Sequence, residues 1–70
     1  MTLKEANAGE EYRIQAIETN DEEMNAFLFS LGCFSGEMIT VVSQKKNNMV
    51  VSIKDGRYNI DAELADAIIV

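Results

Sequence analysis

Apolar and polar positions alternate from Tyr12 to Ile17. Tyr12, Ile14 and Ala16 fall on one side, and Arg13, Gln15 and Ile17 on the other. A period of two predicts a half-buried strand. Past Asn20 the period lengthens. Met24, Phe27, Leu28 and Leu31 recur at i, i+3, i+4 and i+7, which predicts a helix with one apolar stripe. Asn20 is placed to cap that helix, with Glu23 at the capping-box spacing. Asp21, Glu22 and Glu23 put negative charge where the helix dipole favours it. Gly32 follows the last apolar position and can take the left-handed conformation that ends a helix. Asn20 to Gly36 (NDEEMNAFLFSLGCFSG) is thus the stretch around which the chain is organised. It has both a start and a stop signal, and it specifies a fold element rather than a function.

The flanking segments predict mostly strands. Leu3 to Ala8 carries Leu3 as its one large apolar residue and reads as a helical turn or an extended lead-in. Gly9-Glu10 reads as a turn. Gly32 and Gly36 frame a tight corner. Glu37 to Ser43 is rich in β-branched residues and predicts a strand. Gln44 to Asn48 is a polar turn. Met49 to Ile53 is a second apolar run, and Asp55-Gly56 is a hairpin signal. Arg57 to Asp61 alternates again, with Tyr58 and Ile60 on one face. Ala62 to Asp66 fits one short helical turn, and Ala67 to Val70 a last strand. The sum is a mainly β fold. It is read as a small barrel or sandwich of about five strands, with one helix after the first. Closure would remove exposed strand edges. Residues 1–70 read as a single domain without repeats or linkers.

Bulk composition removes several function classes. A chain of 70 residues buries only about 60% of its unfolded surface. With 47% hydrophobic residues it can still build a compact core. The net charge of −6 opposes binding to phosphate backbones and to anionic lipid. Neither nucleic-acid binding nor membrane insertion is expected. No apolar run approaches the roughly 18 residues of a membrane span, and the first residues lack a signal-peptide layout. A lone cysteine, Cys33, fits a reducing, cytoplasmic setting.

Candidate chemistry is sparse. There is no His, so the commonest general base is missing. Cys33 has no activating partner near it in sequence and reads as a small core hydrophobe. The glycines at 32, 36 and 56 do not form a phosphate loop. Asp21, Glu22 and Glu23 point in different directions on a helix, so they read as capping charges rather than chelators. No catalytic residue, cofactor site or metal ligand is assigned. Lys45 and Lys46, the only adjacent basic pair, read as a solvated hairpin tip.

In this order and spacing the residues resemble the FeoA family of small ferrous iron transport proteins, over nearly the whole chain. Leu3, Gly9, Glu10 and Ile14 match its N-terminal pattern. Leu28-Phe29-Ser30-Leu31-Gly32-Cys33-Phe34-Ser35-Gly36, followed by Ile39 and Val41, matches its central signature. Gly56, Ile60, Ala65, Ile68 and Val70 match its C-terminal pattern. Ser35 stands where that family usually has Pro, and Gly36 is left to carry the turn. Ala26 and Phe27 replace basic residues that are common there. The resemblance implies an SH3-like barrel in a non-enzymatic cytoplasmic accessory protein of ferrous iron uptake. It implies protein–protein contact with FeoB, the membrane iron transporter with a cytosolic G-protein domain. The alternative it implies is a metal-responsive SH3-like module of an iron-dependent regulator, binding a divalent metal or a peptide.

The helix geometry leaves open whether there is a partner surface. At about 100° per residue Phe29 points away from the stripe. It must either pack under a neighbouring segment or face solvent. Phe34 and Met38 lie at the nearby corner, and such residues either fill a small core or form an exposed patch. The candidate partner-binding residues are Phe29, Leu31, Gly32, Cys33, Phe34 and Met38.

Overall fold

The computed structural model describes residues 1–70. Leu3–Glu5 forms a 3-10 turn, which buries Leu3. The predicted strand at Tyr12 is broken in two. β1 (Glu11–Arg13) pairs antiparallel with β3 (Met38–Gln44), and β2 (Ala16–Ile17) pairs with β6 (Ile68–Ile69). Between them the chain changes partner. The Ile14 N–H donates to Glu37 C=O at 2.8 Å, and the Gln15 N–H donates to Ile69 C=O at 2.7 Å. This one bent segment therefore joins both sheets, and the strand count rises to six.

β3 pairs with β4 (Asn48–Ile53), and β4 with β5 (Gly56–Asp61), so the larger sheet runs β1-β3-β4-β5. β5 and β6 do not pair with each other, so the barrel stays open between them. The predicted alternation holds in β4, where Met49, Val51 and Ile53 are buried in turn. In β3 the register slips between Val41 and Ser43, and the extra residue, Val42, faces outward at 37% exposure.

The β4–β5 hairpin turns one residue earlier than the Asp-Gly signal suggests. Ile53 faces Gly56, so Lys54 and Asp55 make the turn and Lys54 takes the positive φ of 54°. Gly56 has a different role, in that it leaves room for a neighbouring ring. A Cβ there would lie 2.5 Å from Cζ and 2.7 Å from Cε2 of Tyr58, whose ring crosses over it.

α1 (Glu22–Ser30) lies between β2 and β3, and α2 (Ala62–Ala67) between β5 and β6. The N-cap of α1 is Asp21, not Asn20. Its carboxylate accepts from the N–H groups of Glu23 at 3.0 Å and Met24 at 3.1 Å. The Asp21 N–H in turn donates to Thr19 Oγ1 at 3.0 Å, which fixes the approach one residue later than expected. α2 is capped by Asp61, whose carboxylate accepts from the Leu64 N–H. The core beneath these elements combines Leu3, Ile14, Leu28, Ile39, Val51, Ile60 and Ile68, each at most 1% exposed.

Candidate protein-docking site

α1 touches the core through a narrow contact. Leu28 is its only fully buried residue, while Met24 is half-buried and so is Leu31, just past its end. Phe27 belongs to the predicted stripe yet is 47% exposed, which corrects the four-residue core face. On a helical wheel Phe27 and Phe29 stand about 100° to either side of Leu28. A helix that rests on a single inward side chain cannot bury both flanks. Phe29 is the more exposed, at 64%.

The segment after α1 is held by backbone bonds. The Cys33 N–H donates to Leu28 C=O at 3.1 Å, and the Gly32 N–H to Phe29 C=O at 3.0 Å. Gly32 has φ +99°, the left-handed helix end predicted for it. The Glu37 N–H donates to Phe34 C=O at 3.0 Å, and the Gly36 N–H to Ile14 C=O at 2.7 Å. Gly36 has φ +92°, so it supplies the turn without a preceding proline. The corner is thereby tied to the bend between β1 and β2.

This frame sets Phe34 beside Phe29, with ring centroids 4.5 Å apart and planes at 55°. Such tilted pairs contribute about 0.5–1.5 kcal/mol beyond area burial. Lys54 arrives from the β4–β5 turn. Its Nζ lies 5.3 Å from the Phe34 centroid and 3.6 Å from Glu37 Oε1. That ion pair is largely exposed and adds little stability. Its effect is to place one cation and one anion at the rim of an aromatic ledge.

The six candidate contact residues divide by depth. Phe29 faces solvent and Phe34 is half-buried beside it. Met38, at 37% exposure, lies on the outer side of β3 opposite Arg13. Leu31 is half-buried against the core. Gly32 and Cys33 are buried, so they support the ledge from below and offer no side chain to a partner. Burial pushes the Cys33 thiol up to about 11, and it stays protonated at neutral pH. Phe27 and Lys54 were not among the candidates. The sequence carried no signal for Lys54, which reaches the corner only through the β4–β5 hairpin. No enclosed pocket forms, and no three His, Cys, Asp or Glu side chains are grouped to hold a metal ion. Lys45 and Lys46 are exposed between β3 and β4.

The FeoA domain family model matches residues 1–70. The chain belongs to the FeoA family. No curated protein sequence matches it. Its fold is shared with solved structures at low sequence identity. An FeoA from Stenotrophomonas maltophilia, solved with zinc, is described as a prokaryotic SH3 domain protein and suggested as a ferrous iron transport activating factor. It is 18% identical with a TM-score of 0.89, over 99% of this chain and 87% of that one. An FeoA described as an iron uptake regulatory protein is 22% identical with a TM-score of 0.88, over 97% and 91%. A manganese-dependent transcriptional repressor is 18% identical with a TM-score of 0.89, over 97% of this chain. The chain spans 39% of that repressor's length. These likenesses establish the SH3-like fold expected for an FeoA chain. No helix is long and apolar enough to cross a membrane.

Proposed function

We propose that this FeoA chain is a non-enzymatic cytoplasmic accessory protein of ferrous iron uptake. It acts by contact with the cytosolic G-protein domain, or its flanks, of a FeoB-type membrane transporter. Family membership supports the iron-uptake setting. The ledge supports the mode of action. A phenylalanine left 64% exposed, packed at a tilt against a second one beside a hydrogen-bonded corner, is a preorganised aromatic anchor. Phe29 and Phe34 form its centre, with the half-buried Leu31 and the exposed Met38 as further contacts. Calorimetry with the transporter's cytosolic domain tests the assignment. Phe29→Asp is expected to weaken binding by about tenfold or more, since an interface anchor contributes roughly 2 kcal/mol. Because Phe29 is exposed, the variant should keep its fold. Binding equal to the parent's would refute the site.

A second reading rests on the fold shared with the manganese-dependent repressor. As a metal-responsive module the chain would bind Fe²⁺ or Mn²⁺ at micromolar levels or tighter, about −8 kcal/mol. Titration giving neither heat nor a thermal shift would remove it.

A further inference from the structure

We infer that the outer edge of β5 pairs with the same edge of a second copy of this chain, antiparallel and in one register centred on Asn59. The pairing of β4 with β5 decides which backbone groups are free. Ile53 and Gly56 close the hairpin, and past its far end the Ala62 N–H donates to Asn47 C=O at 2.9 Å. Residues 56, 58, 60 and 62 therefore bond toward β4. Arg57, Asn59 and Asp61 direct their backbone groups away from it. β5 is the last strand of its sheet, and no hydrogen bond reaches the N–H or C=O of Arg57 or Asn59 from elsewhere in the fold. Both side chains are exposed.

Three of the usual protections of a free edge, a short strand, a bulge and a proline, are missing here, and the two charges on it, Arg57 and Asp61, are of opposite sign. β5 runs six residues in unbroken register, with no bulge and no proline. The opposite edge strand, β1, has only three residues.

The side chains select the occupant. About a two-fold axis at Asn59, each Asn59 exchanges backbone hydrogen bonds with its mate. Arg57 then stands directly opposite Asp61 of the second copy, on the same face, and Asp61 opposite the other Arg57. Each Asp61 N–H donates to the facing Arg57 carbonyl. One Asp61 oxygen caps α2 through the Leu64 N–H at 2.8 Å, which leaves the other for the guanidinium. A shift by two residues in either direction would break these opposite-charge pairs. The net charge of −6 opposes the approach of two copies, so the association is weak.

Sedimentation equilibrium on the full chain, from about 10 µM to about 1 mM, covers the range expected of a small interface. The parent should show a monomer–dimer equilibrium. The amide resonances of Asn59 and Asp61 should move with concentration, while those of α1 stay fixed. Asn59→Pro removes an outward N–H without costing a β4 bond, and Arg57→Glu sets like charges face to face. Asn59→Pro is expected to weaken association by about tenfold or more, the worth of the axial hydrogen-bond pair, and Arg57→Glu by about tenfold through two like-charge pairs set face to face. Should Asn59→Pro lose its fold by circular dichroism, Arg57→Glu alone decides. A parent that stays monomeric throughout would overturn the inference. So would dimerisation unmoved by Arg57→Glu, or dimerisation abolished by Phe29→Asp.

Discussion

Leu28→Ala should remove a large share of the chain's stability, although it alters one side chain of a short surface helix. Leu28 is 0% exposed and is the one fully buried residue of α1. Truncating a buried Leu to Ala costs about 2–5 kcal/mol, depending on how far the site relaxes. Here Met24 and Leu31 can settle partly into the gap, because both are already half-buried against the core. That places the cost near the middle, at about 3 kcal/mol. At roughly 0.05–0.15 kcal/mol per residue, 70 residues supply about 4–10 kcal/mol in total. Alanine is the better helix former, so helix propensity opposes the loss only slightly. A loss of this size lowers the melting temperature by roughly 12–24 °C in a domain this small. Thermal unfolding followed by circular dichroism at 222 nm measures it. Phe27→Ala is the internal control, since Phe27 is on the same helix but 47% exposed. It should cost less than about 0.5 kcal/mol beyond whatever its buried half contributes. Equal losses from the two variants would show that α1 docks through a wide stripe, and that the narrow contact is wrong.

Two further perturbations test local claims. Asp21→Ala should destabilise by about 1 kcal/mol in urea titration, while Asn20→Ala should be near neutral, because Asp21 supplies the cap. For Cys33 the thiol is raised from 9.0 to about 11 by burial, so above pH 9 the unfolded chain loses a proton that the folded chain keeps. Stability linked to this group is complete below pH 9 and falls by about 1 kcal/mol per pH unit toward pH 11. Cys33→Ala should flatten that slope in denaturant titrations between those pH values.

The sequence was most informative where a local rule acts without competition. Gly32 and Gly36 are left-handed as their positions demanded, and β3, β4, β5 and α2 lie where their patterns placed them. Apart from the helix cap, which a local bond decides, the misses share one origin, in that tertiary partners chose between locally equivalent options. Asn20 and Asp21 are both good caps, and a bond from the Asp21 N–H to Thr19 selects the second. Alternation runs unbroken through Ile14 and Gln15, yet the chain exchanges β3 for β6 there, which no period records. The helical period named Phe27 as a core candidate but could not give the width of the contact. Asp55-Gly56 marked a hairpin, while the β4–β5 register put the turn on Lys54 and kept Gly56 clear for Tyr58. At the ledge, Phe29 and Phe34 were legible as off-stripe aromatics. Their tilted contact, and the arrival of Lys54, required the folded chain.

The central claim is that the chain acts through its aromatic ledge on a transporter's cytosolic domain. Its most direct measurement is the affinity of the parent and of Phe29→Asp for that domain, taken side by side at one salt concentration. Saturable binding by the parent is expected, with at least about a tenfold loss in the variant, whose melting temperature falls only by the several degrees that losing the Phe29–Phe34 contact costs. Equal affinities, or no binding by the parent in any nucleotide state of the domain, would contradict it.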